Sequence, residues 1–267
     1  MNHCIDFDKI ETINVDFVLG FGSACCAADA LRRNHLRYFS SPFDWMMNYN
    51  LDTAMNILED IAKNKKPKFF DNCRENENYA RGKYTVIVDS DNGMTSMHDF
   101  PSNMDIKKAP YFFYKKYERR FLNLNNILKN ATAICILTYR QISLDDMKTF
   151  VNFLKQVYSI KQIYFINIFD SPEESFEQYC DKGVKYLIYK FNDEHKNGRD
   201  KSTNPNFWRG NIDYWDKILS KIKLNNKFRY LYKLKRFIFC ISTDCSYQKM
   251  FTVVNILGIR FKFKIKL

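Results

Sequence analysis

The sequence predicts an α/β fold: a mostly parallel sheet with helices on both faces, in a Rossmann-like three-layer arrangement, followed by a basic C-terminal tail. Three observations predict it. Between residues 131 and 220, apolar runs of strand length alternate with amphipathic stretches of helical length, the pattern of successive βαβ units. Near the N-terminus the turn GFGS (20–23) separates an apolar strand from an alanine-rich helix. Basic residues are concentrated at the other end, where twelve of them and one acid, Asp244, give residues 221–267 a net charge of +11 of the chain's +12.

In chain order, NVDFVL (14–19) is a short strand and residues 24–33 form the helix that follows it. LDTAMNILEDIAKN (51–64) places Ala54, Ile57, Leu58 and Ile61 on one helical face. KYTVIVDS (83–90) is a strand and YFFYKKYERRFLNLNNILKN (111–130) a long amphipathic helix. ATAICILTYR (131–140) and KQIYFINIFD (161–170) are strands flanking the helix SLDDMKTFVNFLKQVYS (143–159). SPEESFEQYCDK (171–182) opens on a helix-start signature and is expected to be helical, leading to the strand VKYLIYKF (184–191). A polar loop covers 193–206, and NIDYWDKILSKI (211–222) closes the body as a helix. The expected division is a catalytic body, residues 1–220, and a tail, residues 221–267.

Composition narrows the function classes. The chain is 46% hydrophobic and 16% aromatic, enough for a filled core. The start, MNHCIDFDKIETINVDF, has no apolar leader, and no run of about 18 apolar residues occurs anywhere. A cytoplasmic protein with reduced thiols is expected. No cysteine pair has zinc-site spacing and His3, His35, His98 and His195 are scattered, so neither metal nor cofactor is expected. The tail interleaves bases with aromatics in KFRYLYKLKRFIF and alternates them with apolar residues in LGIRFKFKIKL. Such a segment suits an anionic membrane surface first, a lysine-protected edge hairpin second and nucleic acid third.

Chemistry is expected beyond the carboxyl ends of the strands, where α/β sheets place their sites. Cys25 falls there, in the first turn of the predicted helix. It is either a small packing residue or a thiolate favoured by the free N–H groups and dipole of the helix. Gly22, Ser23 and Ala24, which lead into that helix, are the candidate substrate-binding residues. Cys26 points to another side and reads as core. Cys26 and Arg32 satisfy C-x5-R, but the intervening AADAL is helix-forming and cannot make a phosphate loop. A nucleophilic cysteine needs a base. His98, placed in a turn after a strand, is the best-located histidine, and Asp44 is a better orienting carboxylate than Asp99, which points elsewhere.

The stretch FGSACCAADALRRNHLRYFSSPFDW (21–45) resembles the N-terminal signature of a bacterial family of unknown function described as "putative papain-like cysteine peptidases". Gly22, Cys25, Ala28, Leu31, Arg32, Arg37, Ser40, Pro42, Phe43, Asp44 and Trp45 carry the likeness, which extends over about residues 14 to 220. The resemblance implies Cys25 as nucleophile, His98 as base and Asp44 as orienting carboxylate, with Arg119 and Arg120 holding an anionic substrate. The strand–turn–helix setting is also similar to nucleophile sites of α/β hydrolases and to capsule-polysaccharide enzymes that handle acyl groups.

The leading expectation is a Cys–His hydrolase or acyl transferase acting on a surface-polysaccharide or lipid-linked glycan precursor at the inner membrane surface. Its partners would be that glycan or acyl donor and an anionic bilayer, rather than nucleic acid. Two alternatives stay open: a nucleotide-sugar-dependent glycosyltransferase in which Cys25 only packs, and a non-catalytic membrane- or nucleic-acid-binding module.

Overall fold

The computed structural model describes residues 5–22, 25–79, 82–193 and 207–225, and beyond them 228, 230, 234, 237–246 and 249–264. Its strands in chain order are β1 (Ile13–Val15), β2 (Phe17–Gly22), β3 (Met46–Met47), β4 (Cys73–Glu75), β5 (Tyr84–Asp89), β6 (Thr95–Pro101), β7 (Ala133–Tyr139), β8 (Gln162–Asp170), β9 (Ser175–Asp181), β10 (Val184–Phe191), β11 (Ile222–Leu224), β12 (Phe239–Ser246), β13 (Lys249–Ile256) and β14 (Ile259–Lys264). Its helices are α1 (Cys25–Arg33), α2 (Leu51–Ala62), α3 (Ala109–Asn130), α4 (Leu144–Val157) and α5 (Ile212–Leu219). The chain divides into two units, one of residues 1–67 and 120–225, the other of 68–119 and 226–267, with the division falling inside α3.

The first unit holds a five-stranded sheet of order β2-β7-β8-β10-β9. Its first four strands are parallel, in line with the expected mostly parallel sheet, and β9 pairs antiparallel at the edge. Side chains alternate across the strands. Val18, Cys135, Leu137, Ile166, Ile168, Leu187 and Tyr189 pack with Cys26, Ala27, Ala30 and Leu31 of α1 and Trp215 and Ile218 of α5. On the other side Phe150 of α4 meets Phe21 at 5.0 Å and Phe165 at 6.3 Å, and Phe165 stacks with Tyr186. Each such fully buried side chain contributes about 1.5–3 kcal/mol. Gly20 lets α1 approach, since a Cβ there would stand 2.9 Å from Leu31 Cδ1.

Local chemistry sets the helix ends. Asn50 caps α2 by accepting from the Thr53 N–H, and Ser143 with Asp146 forms a capping box on α4. The chain leaves α1 through His35 at φ 56°, with the Leu36 N–H bonded back to the Leu31 carbonyl, a left-handed cap of the kind glycine usually makes.

One expectation about this unit fails. Residues 171–182 are not a helix: Ser175–Asp181 form β9, joined to β10 by Lys182 and Gly183 at φ 47° and 77°, the two-residue hairpin turn whose twist matches paired strands. One further short strand follows α5. Ile222–Leu224 form β11, which pairs parallel with β1, and Asn225 Nδ2 donates to Asp16 Oδ1 at 2.8 Å.

The second unit has the antiparallel strands β4, β5 and β6, packed by Phe100 and by Phe112 and Phe113 of α3. Asp99 turns into this core, accepting from Ser96 Oγ and Tyr117 Oη at 2.6 Å and pairing with Lys116 Nζ at 2.7 Å. The same unit contains the antiparallel meander β12–β13–β14.

Asp16 ties the N-terminal edge of the parallel sheet together. Its Oδ2 accepts from the N–H groups of Thr132 and Ala133 and from Thr132 Oγ1. Burial opposes the charge, but the bonds from Asn225, Ala133 and Thr132 win and hold its carboxyl below the usual range. Because the folded protein prefers the ionised form, this contribution is complete above the unfolded value near pH 4 and is lost as pH falls through the depressed one. Asp16→Ala should therefore lower stability by about 1–3 kcal/mol at neutral pH, and the loss should shrink in acid; denaturant titrations at both pH values would check this.

Candidate functional site

The carboxyl ends of the parallel strands collect the reactive groups of the first unit. Beyond β2 stands Cys25, half-buried, as the first residue of α1. Its neighbour Cys26 is 2% exposed within the core against β7 and α5. Burial pushes the Cys26 thiol well above its ordinary range and the nearby Asp193 charge adds to the shift, so Cys26 is packing, as its position implied. Among the other described cysteines, Cys135 is buried and its thiol raised by that burial. Cys73 is pushed up to about 12 by burial and then by Asp89, Asp71 and Asp91. Cys180 is exposed on β9.

The helix that carries Cys25 is fixed by ions. Asp29, fully buried, accepts from Arg32 at 2.6 Å and Arg33 at 2.5 Å, with Arg209 Nε at 3.4 Å. Arg33 and Asn34 also reach Asp216 on α5 at 2.9 and 2.7 Å. Arg32 is thus engaged with Asp29, consistent with rejecting a phosphate loop.

The SSPFDW segment is an interlocked turn. Ser41 N–H donates to Asp44 Oδ2 at 2.9 Å, Arg37 Nε lies 3.4 Å from the same oxygen, and Arg37 Nη2 donates to Ser40 Oγ at 2.6 Å. Phe43 packs on Phe21 at 4.7 Å. Burial raises the Asp44 carboxyl, while Arg37, the Ser41 N–H and the nearby Arg120 oppose it. Asp44 therefore has cationic neighbours and a backbone donor as its partners here.

Cys25, Asp44, Gly22 and Arg120 belong to the first unit, whereas His98 and Arg119 belong to the second. His98 is not in a turn but within β6, exposed, with its ring edge-on to Tyr84 at 6.4 Å. Arg119 and Arg120 are consecutive and half-exposed on α3. Ser23 and Ala24 lie outside the described residues, as does most of the 193–206 loop. His35, exposed past the far end of nine-residue α1, is about 15 Å along the axis from Cys25, too far to serve it.

Two residues at this edge were not singled out from the sequence. Arg140, just beyond β7, donates through Nη2 to the Gly22 carbonyl at 3.1 Å and through Nη1 to the Tyr49 carbonyl, with its guanidinium 4.3 Å from the Tyr49 ring centre. It braces the carboxyl end of β2 at Gly22, three residues before Cys25 in sequence. Asp193, just beyond β10 and 3% exposed, accepts from Asn211 N–H at 2.8 Å and Trp215 Nε1 at 2.9 Å. Burial pushes its carboxyl up, the bonds from Asn211, Trp215 and Tyr139 pull it down, and Asp170 pushes it up again. The signal for both was position alone: a charged residue at the end of a parallel strand.

Gly210 makes the Asp193 arrangement possible. It sits at φ 66°, and a Cβ there would fall 2.3–2.6 Å from the Asp193 carboxylate atoms. Gly210→Ala should cost about 2–3 kcal/mol, more than Gly20→Ala, whose clash is only with the flexible end of Leu31. Thermal melts of the two variants would rank them.

Among the described residues no helix is long and apolar enough to cross a membrane. A family model described as "putative papain-like cysteine peptidase" matches residues 16–166, from β2 into β8, and takes in Cys25, Asp44, His98, Arg119, Arg120 and Arg140. No curated protein and no solved structure matches the chain.

Proposed function

Because the chain belongs to the family described as "putative papain-like cysteine peptidase", we propose that it is a thiol-dependent hydrolase in which Cys25 is the nucleophile. The observation that carries this reading is the contrast between two adjacent thiols: Cys26 is sealed in the core, while Cys25 opens α1 at the carboxyl end of β2 and is partly accessible. The first N–H groups of a helix have no partner within it, and its dipole favours negative charge there. Both effects favour a thiolate at Cys25 over one at an ordinary surface cysteine.

In the proposed mechanism the Cys25 thiolate attacks an acyl carbonyl, and the N–H groups opening α1 stabilise the oxyanion that develops. Collapse expels the leaving group, which takes the proton that His98 removed from the thiol, and leaves a thioester on Cys25. Water completes hydrolysis of that thioester; an acceptor hydroxyl or amine in its place would make the same intermediate an acyl transferase. Asp44 is proposed to act through charge at the SSPFDW turn, and Arg119 and Arg120 to hold an anionic group of the substrate. The basic aromatic C-terminal segment favours an acylated, lipid-linked glycan precursor as that substrate.

The test is alkylation of the folded protein, read at each cysteine by mass spectrometry across pH. Cys180 serves as the exposed control. Cys25 should react at least about threefold faster than Cys180 near pH 6, since each unit by which a thiol pKa is lowered raises the thiolate population about tenfold while part of that gain is lost to weaker nucleophilicity. His98→Ala should slow Cys25 without changing Cys180, and Cys25→Ala should abolish turnover of acyl substrates, a loss of about 10³-fold or more. Equal rates at Cys25 and Cys180, or full turnover in Cys25→Ala, would remove the thiol from the chemistry.

A further inference from the structure

The register of the C-terminal meander sorts its side chains cleanly. Ile259 pairs with Ile256, Phe261 with Val254 and Phe263 with Thr252, so these residues share one face of the sheet. Arg260, Lys262 and Lys264 pair with Asn255, Val253 and Phe251 on the other. Strand β14 is exposed along its whole length, so the two faces differ in chemistry: one shows Arg260, Lys262 and Lys264, over β13 residues that include the buried Val253, and the other shows Ile256 at 42%, Ile259 at 62%, Phe261 at 44% and Phe263 at 56% exposure, with Leu257 at the β13–β14 turn 62% exposed. Leu257 and Gly258, at φ 48° and 80°, form a tight turn that carries the apolar row to the tip of the hairpin. A continuous open face of isoleucine, leucine and phenylalanine marks a place of association, since single exposed apolar residues are ordinary but a grouped set is not.

Charge selects the occupant. Residues 221–267 carry a net +11. A second copy would bring an equal positive charge against this one. Nucleic acid would answer the charge, but the open face has no basic side chain in its β13–β14 rows to meet phosphate. A bilayer rich in anionic lipid satisfies both features: its interface accepts the apolar row, and bases on the far side of a single sheet still lie within about one Debye length of 8–10 Å from its headgroups. We propose that the open apolar face of β13–β14 docks on an anionic lipid bilayer, with Ile256, Leu257, Ile259, Phe261 and Phe263 entering the interface. This surface stands independently of the thiol chemistry at Cys25.

The test uses the full chain with vesicles of phosphatidylcholine alone or with about one-third phosphatidylglycerol, at about 0.1 M salt, where the Debye length is near 10 Å. The chain should co-sediment with the anionic vesicles at least about tenfold more tightly than with the neutral ones, and added salt should weaken binding. The double variant Phe261→Ser with Phe263→Ser should lose about tenfold or more of that affinity while keeping the wild-type circular dichroism and melting temperature. If that variant misfolds, Phe263→Trp decides: the difference between its emission and that of the wild-type chain, which has three tryptophans of its own, should shift to the blue on adding anionic vesicles. No sedimentation with anionic vesicles, a folded double variant that binds as the wild type does, or an unshifted tryptophan would overturn the proposal. So would a dimer that the double variant dissolves, which would make a second copy the occupant, or retention by single-stranded DNA without retention by vesicles.

Discussion

Asp29 is the constraint on which the placement of α1 depends. An isolated carboxylate buried to this degree would be strongly disfavoured; Arg32 and Arg33 answer it from α1 itself, and the helix is placed by what this cluster reaches outside it, Arg209 at Asp29 and Asp216 at Arg33. Arg33 passes the constraint to α5 through Asp216. Arg209 passes it to the short turn before Gly210, whose backbone closes over Asp193. Asp193 in turn holds Trp215 of α5. The ring of contacts returns to α5, and its effect is to fix where α1 starts, which is where Cys25 stands.

The same logic runs through the other buried carboxylates, each answered in a different currency of partners. Asp16 takes backbone and amide donors at the sheet's N-terminal edge. Asp89 gathers the N–H groups of Phe70 and Asp91 and the amide of Asn92 in its loop. Asp99 has an ammonium and two hydroxyls, and Asp44 a guanidinium and the Ser41 N–H. Since a half-satisfied buried charge is worse than an apolar side chain, these clusters act as registration points: the chain fits only when the partners arrive together.

Much of this fold was legible in the sequence because it rests on local pattern. The apolar runs 133–139, 162–170 and 184–191 lie within the segments read as strands, and α2, α3 and α4 follow the helical spacing of their apolar residues. β9 was misread because Ser-Pro-Glu-Glu is a good helix start; what decided it was Lys182-Gly183, a turn that only pairing with β10 rewards. β11 is three residues long, too short for any periodicity, and exists because β1 needs a partner. At the site, Cys25 was visible because a strand ending in glycine and an alanine-rich helix are close neighbours in sequence, although Gly20 and Gly22 prove to lie within β2 and not in a turn. Asp193 and Arg140 were not, because their partners Trp215, Asn211, Gly22 and Tyr49 are separated from them by about 20 to 120 residues and nothing local announces them. The placement of Asp44 shows the same limit: SSPFDW was recognisable as a block, while the inward orientation of its acid toward Arg37 depends on packing.

The pairing of one open and one sealed thiol has a consequence for oxidation. Successive residues of a helix are turned by about 100°, so the Cys25 and Cys26 side chains diverge, and the second sulfur is enclosed by α5 and the sheet. If an oxidant converts the first thiol to its sulfenic acid, its neighbour cannot reach it to form a disulfide while α1 stays intact. Regeneration would then depend on a thiol other than Cys26, and without one the oxidised sulfur is exposed to further, irreversible oxidation. Two cysteines side by side in sequence thus behave as a single vulnerable centre with no resolving partner in its own helix.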